Sequence, residues 1–132
     1  PFFTQMRASW TAAAPLPGGE DMTTAQALTD AILAQYGWLP VDIAKRWAVT
    51  YGSRVWRLLD GIQGPEDLGQ AIGGGLFSRE VDYLRSEEWA VDAADILWRR
   101  TKLGLFTSPA EQQALYDYLE KAPASQISFK AA

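Results

Sequence analysis

The chain has 132 residues, with 12 Lys and Arg against 16 Asp and Glu and a formal net charge of −4, which fits one domain of globular composition. It holds no Cys and no His, which excludes disulfides, cysteine-ligated metals, thiol nucleophiles and any imidazole base from these residues. The mild acidity is the wrong field for a nucleic-acid binder, and the longest apolar runs, such as Trp10 to Leu16, fall far short of the ~20 residues of a membrane span.

The first residues, Pro1-Phe2-Phe3, do not include an initiator Met and read as a piece of a longer protein. Phe2, Phe3, Met6 and Trp10 form an apolar arm that is expected to pack on something. Ala12 to Gly19 carries two prolines and two glycines, a composition that breaks regular structure and marks a linker. Thr23-Thr24-Ala25-Gln26 has the spacing of a capping box, with Thr23 as cap, and predicts a first helix. Ala25, Leu28, Ile32 and Tyr36 give that helix its stripe, with Gly37 as its stop. A second helix starts at Pro40 as first helical residue. It carries the stripe Ile43, Trp47 and Tyr51, an Asp42–Arg46 pair four apart and a stop at Gly52.

A short third helix follows, capped by Ser53, with Val55, Leu58 and Leu59 inward and a stop at Gly61. Residues 63–75 read as a loop with one turn near Glu66-Asp67-Leu68. The fourth helix is expected from Ser78 to about Arg85, with Val81 and Leu84 inward. The fifth runs from about Glu87 to Leu103 and stops at Gly104. The sixth opens on Ser108-Pro109-Ala110-Glu111, which combines an N-cap, a first-turn proline and a capping-box Glu. Leu115, Tyr118 and Leu119 form its buried face. No segment alternates long enough to predict a sheet. The expected architecture is all-α, a compact bundle of five or six short helices. Residues 1–21 form a linker or arm, 22–122 the helical domain and 123–132 a tail.

On a wheel of about 100° per residue, Glu88, Asp92, Asp95, Arg99 and Lys102 share the wet sector of the fifth helix. Arg100 falls between Ile96 and Trp89, and Thr101 beside Leu97. This phase makes Arg100 more buried than Arg99. Arg100 then either snorkels or pairs with Glu80 or Asp82, or else it meets an anion or another domain. Arg99, Arg100 and Lys102 also lie at the negative end of the helix, where cations belong. Trp47, Trp56, Trp89 and Trp98 are expected in the core, whereas Trp10 and Trp38 are candidates for contacts.

Gly73-Gly74-Gly75 lacks the Lys-Ser/Thr of a phosphate loop and the spacing of a dinucleotide fingerprint, so it reads as a turn. Pro17-Gly18-Gly19-Glu20-Asp21 lacks the alternating carboxylates of a calcium loop. The second and third helices resemble a helix-turn-helix in outline, but Arg54 and Arg57 are too few cations for a DNA reader. No catalytic, cofactor or metal residue is expected in the chain. The candidate interdomain or structural contacts are Trp10, Arg99, Arg100 and Lys102.

Three blocks carry a resemblance. They are Trp10 to Gly19; Thr50-Tyr51-Gly52-Ser53 with Leu58-Leu59 and Asp67-Leu68-Gly69; and Glu80-Val81-Asp82-Tyr83-Leu84 through Glu87-Glu88-Trp89-Ala90 to Asp95–Leu105. In order and spacing they resemble the C-terminal domain of the aerobic, FAD-dependent glycerol-3-phosphate dehydrogenases. The resemblance covers nearly the whole chain. It implies a parent flavoprotein that oxidises sn-glycerol 3-phosphate to dihydroxyacetone phosphate and passes electrons to quinone, or to oxygen in related oxidases. It also implies an N-terminal FAD-binding domain as partner and a helical cap as the role of these residues. The parent is then expected in the cytoplasm, peripheral on the inner membrane, with no nucleic acid bound. An independent helical interaction module is the alternative.

Overall fold

The computed structural model describes residues 9–20 and 24–121. The expectations for Phe2, Phe3, Met6 and the tail at 123–132 lie outside them. Helix α1 (Ala25–Gln35) is capped by Thr24, whose Oγ1 accepts the Ala27 N–H at 3.0 Å. The cap is therefore Thr24 rather than Thr23, and Gln26 donates to Asp30 instead of closing a box. Leu28 and Ile32 are buried as the stripe requires. The helix stops before Gly37, at Tyr36, whose ring stands edge-on to Trp38.

Helix α2 (Val41–Tyr51) has Pro40 as its cap rather than its first residue. It buries Ile43, Trp47 and Tyr51 and packs on α1. Trp47 is wholly enclosed, and its indole N–H finds no acceptor among the described residues. Gly52–Arg54 then makes one 3-10 turn into α3 (Val55–Leu58). Ser53 does not cap α3, since its hydroxyl donates to Glu20 Oε2 at 2.6 Å. Val55, Leu58 and Leu59 are all enclosed.

The expected turn is a 3-10 helix, Pro65–Leu68, held by Asp67, whose carboxylate accepts the N–H groups of Gln63 and Gly64. The rest of the expected loop is a hairpin. Strands β1 (Ala71–Gly73) and β2 (Leu76–Phe77) pair antiparallel across the glycine turn. With three and two residues they are too short to show alternation. Helix α4 (Ser78–Glu87) buries Val81 and Leu84.

The expected fifth helix is the main departure. There is no continuous helix from Glu87 to Leu103. The chain breaks after α4 at residues 88–91, and a new helix begins at 93. Asp92 and Asp95 cap it reciprocally: Asp92 Oδ1 accepts the Asp95 N–H at 2.8 Å, and Asp95 Oδ2 accepts the Val91 N–H at 2.9 Å. From Asp95 to Arg100 it is a π-helix. A 3-10 turn, Leu103–Leu105, leads to helix α5 (Pro109–Lys121). Here the capping box holds as read: Ser108 donates to Glu111 Oε2 and accepts the Glu111 N–H. Leu115 is enclosed, and Tyr118 and Leu119 are partly buried. Helix α5 packs on β1.

A polar cluster sits inside this core. The Glu80 side chain is fully buried, and Arg46 meets it bidentately, Nη1 to Oε1 at 2.6 Å and Nη2 to Oε2 at 2.7 Å. Arg46 Nη2 also donates to the Gly75 carbonyl at 2.8 Å, and the Tyr51 hydroxyl donates to Glu80 Oε1 at 2.5 Å. Arg46 thus spends its charge on Glu80, not on Asp42. The guanidinium pKa is raised, with the Glu80 hydrogen bonds and charge outweighing the opposing effect of burial. Burial first, then the Glu80 charge, pushes the Tyr51 phenol well up.

Arg46→Met removes the partner of a buried carboxylate and is expected to cost about 3–5 kcal/mol. The Arg46→Met/Glu80→Leu pair, which leaves no charge in the core, recovers part of that loss. Denaturant melts of the three proteins test this; a single variant as stable as the parent chain would show that the pair is not structural.

A second expectation concerns Asp82. Its carboxylate accepts the Tyr118 hydroxyl at 2.9 Å and so ties α4 to α5. Burial raises the Asp82 pKa despite that hydrogen bond, and burial together with Asp82 pushes Tyr118 up to about 12. A carboxyl whose pKa rises on folding stabilises the fold only while protonated, and the benefit disappears as pH climbs through the raised value. Asp82→Asn keeps an acceptor for Tyr118 and removes the buried charge. Its melting temperature should exceed the parent's by a few degrees at neutral pH, with the gap closing below the carboxylate range. A gap that widens in acid would contradict the sign.

Candidate functional site

Where α2 ends and the π-helix passes over α4, an open groove of about 430 Å³ is lined by Pro17, Thr50, Tyr51, Arg54, Arg99 and Arg100, with Leu84 and Glu88 completing it. Each wall follows from local chemistry. Pro17 is there because the linker docks on the end of α2. The Gly18 carbonyl accepts the Ser53 N–H at 2.9 Å, and Gly18 has φ +88° with the Tyr51 carbonyl so near that a Cβ would lie 2.7 Å from it. Only glycine fits that approach. Glu20 reinforces the dock by accepting from Gly18 N–H and Ser53 Oγ, and the Ser53 bond in particular holds its carboxyl below the usual range. Tyr51 is fixed by Glu80 and by an edge-on contact with Tyr83.

The cations of the groove are not equivalent. Arg54 pairs with Glu87 at 3.4 Å and Glu88 at 3.3 Å. Arg57, just outside, pairs with Glu87 at 2.9 Å. Arg99 pairs with Asp95 one turn back; that bond raises the Arg99 pKa, and the Val91 N–H and Arg99 lower that of Asp95. Arg100 is exposed and has no hydrogen-bond or ion-pair partner among the described residues. Arg100 and Arg99 are both exposed, so Arg100 is not buried, and a pairing with Glu80 or Asp82 is overturned. Glu80 belongs to Arg46, and Asp82 to Tyr118.

The π-helix explains the exposure of Arg100. Its i→i+5 bonds place an extra residue in each turn, so the 100° wheel loses phase along it. Thr101 N–H and Oγ1 both return to the Ile96 carbonyl, five residues back. Ile96 and Leu97 stay buried, and the following residues rotate outward. Trp89 lies in the break after α4 and Trp98 in the π-helix, and both are exposed. Trp89, Trp98 and Trp56 are surface residues, against expectation, and Trp47 alone of the four is core. Trp89 is 82% exposed with φ 56°, a left-handed backbone that is an outlier for a bulky residue. Trp98 lies over Gly104, where a Cβ would come within 2.6 Å of the indole.

Of the four residues singled out in the sequence, the groove brings together Arg99 and Arg100 only. Trp10 is exposed in the turn before the linker, its carbonyl accepting from Ala13. Lys102 is left-handed at φ 61°, and its Nζ turns back to the Trp98 carbonyl. Sequence reasoning missed Arg54 and Tyr51 as groove walls. The signal available was Arg54 lying three residues beyond Tyr51, across a glycine.

The described residues hold no group of three or more potential metal-ligating side chains, and no helix among them is long and apolar enough to cross a membrane. They also do not fit a dinucleotide. The two strands are antiparallel and at most three residues long, and the glycine turn commits its Gly74 N–H to Glu111 Oε1 at 3.0 Å. A phosphate cradle needs free N–H groups at a strand-to-helix turn.

Trp89→Gly tests the strain at this site. Glycine removes the left-handed penalty of about 1–2 kcal/mol, and the exposed indole contributes little packing. The variant is expected to be at least as stable as the parent chain by denaturant melt. A loss beyond about 2 kcal/mol would mean that the indole packs on the fold.

Comparison with known proteins bears on this surface. The sequence profile of the C-terminal domain of alpha-glycerophosphate oxidase matches residues 9–122. A glycerol-3-phosphate dehydrogenase of Pseudomonas aeruginosa is 59% identical over 120 residues, 91% of this chain and 23% of its own length. One from Pseudomonas tolaasii is 55% identical over 133 aligned positions, covering all of this chain and 26% of the relative. The D-erythritol 1-phosphate dehydrogenase of Brucella abortus is 37% identical over 121 residues, 91% of this chain and 24% of the relative. The chain thus spans about a quarter of the length of these curated relatives. With the profile covering nearly all of it, the chain belongs to the family of alpha-glycerophosphate oxidase C-terminal domains.

Proposed function

We propose that the chain is the noncatalytic, helical C-terminal domain of an FAD-dependent glycerol-3-phosphate dehydrogenase. The parent oxidises sn-glycerol 3-phosphate to dihydroxyacetone phosphate. The observation that carries this reading is the match of 91–100% of the chain to two Pseudomonas glycerol-3-phosphate dehydrogenases at 55–59% identity. The flavin, the substrate and the hydride transfer belong to the part of the parent that precedes these residues, and electrons leave to quinone. In this reading residues 1–21 are the arm from that part, and 22–122 the folded cap. The parent works in the cytoplasm as a peripheral protein of the inner membrane.

The noncatalytic role is supported by what the residues are. The sequence has no His and no Cys, so an imidazole base and a thiol nucleophile are excluded from it. The polar cluster of Arg46, Tyr51 and Glu80 spends its hydrogen bonds on itself and on the Gly75 carbonyl. The relative named for D-erythritol 1-phosphate is matched over most of this chain, which fits a domain that accompanies more than one polyol phosphate without choosing between them.

Two measurements test the reading. The full-length parent should carry a flavin spectrum and reduce an electron-accepting dye only when glycerol 3-phosphate is added. The 132-residue chain, incubated with FAD and gel-filtered, should emerge colourless. A stoichiometric yellow complex of the isolated chain would place cofactor binding here and overturn the division of labour.

A further inference from the structure

The groove beside the linker has features that the fold itself does not use. Its lining carries three guanidinium groups, from Arg54, Arg99 and Arg100, against the one carboxylate of Glu88. Arg54 and Arg99 have carboxylate partners within the domain. Arg100 has none among the described residues, and its planar fork of five donors suits a carboxylate bidentately. The residues next in sequence to the lining are aromatic: Trp89 follows Glu88, and Trp98 precedes Arg99. Both indoles are exposed, and Trp89 is held so on a left-handed backbone. Exposed Trp beside Arg is the composition of an interface centre, and backbone strain persists where surrounding structure imposes it.

We propose that this groove seats an acidic side chain from the preceding, catalytic part of the same polypeptide, with Arg100 as its clamp and Trp89 and Trp98 as flanking contacts. The inference rests on the reading above that such a part precedes the chain. Three observations select the occupant. Relatives carry about three quarters of their length outside the matched region. The linker docks on the fold at the groove itself, with Pro17 lining it together with Arg100, so the chain from the preceding part passes this site. The stiff Pro15-Leu16-Pro17 segment and the Gly18–Ser53 bond limit how far it can swing away. The surplus cation of the groove then asks for an anion, and a carboxylate on the covalently tethered neighbour is present at high effective concentration.

Hydrogen exchange of the 132-residue chain and of the full-length parent tests the proposal. Amides of residues 89–102 should exchange roughly tenfold or more slowly in the full-length protein. Arg100→Glu in the full-length protein should abolish that protection, Arg100→Lys should retain part of it, and Lys121→Glu, on the far end of α5, should leave it intact. Circular dichroism of each variant separates lost docking from lost folding. Equal exchange of 89–102 in the two wild-type proteins would overturn the proposal, and so would protection indifferent to Arg100→Glu. Inorganic phosphate titrated into the 132-residue chain provides the remaining arm. Saturable shifts at Arg100 by NMR, with no added protection in the full-length protein, would make the groove a small-anion site instead. Dye reduction with glycerol 3-phosphate is measured on the same full-length preparation. Activity without protection sinks this inference alone, whereas protection without activity sinks the reading of the parent and leaves the clamp.

Discussion

A buried carboxylate organises this domain. Glu80 on α4 is reached by Arg46 and Tyr51 from α2, and the same Arg46 holds the Gly75 carbonyl at the foot of the hairpin. Helix α2 is thereby fixed to the hairpin and to the helix that follows it, around one charge. An unpaired carboxylate in that position would be intolerable, so the register of α2 against α4 has little freedom. Everything on the groove side depends on that register. Tyr51, pinned through its hydroxyl, supplies the carbonyl against which Gly18 docks, and the turn after it delivers Arg54 to the groove.

The second constraint is local. After α4 the chain must turn and start again within a few residues. It does so with a left-handed Trp89 and a reciprocal Asp92–Asp95 cap, not with a glycine. The helix that follows is π-helical and is closed by Lys102, also left-handed. A π-helix carries worse packing than an α-helix and clusters at functional positions. Its effect here is concrete: it keeps Ile96 and Leu97 inside while turning Trp98, Arg99 and Arg100 outward.

What could be read from the sequence follows from these two constraints. Elements whose signals are local and regular were legible. The Ser108 to Glu111 box, the stripe Ile43–Trp47–Tyr51, the stop after Tyr51 and the inward Val81 and Leu84 all stand, and so does the helical class. Features that depend on a distant partner were not. Arg46 has an acid four residues earlier and another on α4, and only the tertiary fold chooses between them. The hairpin was invisible because two and three residues give no period. The fifth helix failed for a different reason. Asp92 and Asp95 were assigned to a wet face when they are caps, and from that misreading a single continuous wheel carried Arg100 into the core and Trp89 and Trp98 with it. The groove was half legible: Arg99 and Arg100 stood out as a basic cluster, but the linker's return onto α2 leaves no periodic trace.

Local rules are obeyed almost everywhere in this chain and broken in one stretch. Residues 88–102 contain both non-glycine left-handed residues and the π-helix found among the described residues, together with two of the exposed tryptophans and the unpartnered Arg100. Sequences that are consistent across most of their length concentrate such violations where function demands them. In that stretch the carboxylates of Asp92 and Asp95 are spent on the cap and on Arg99. Within the π-helix Ile96 and Leu97 are buried, while Trp98, Arg99 and Arg100 are exposed. The contact surface proposed above accounts for this concentration: the left-handed Trp89 holds its indole in solvent, and Arg100 has no acid partner among the described residues in a groove that Pro17 also lines.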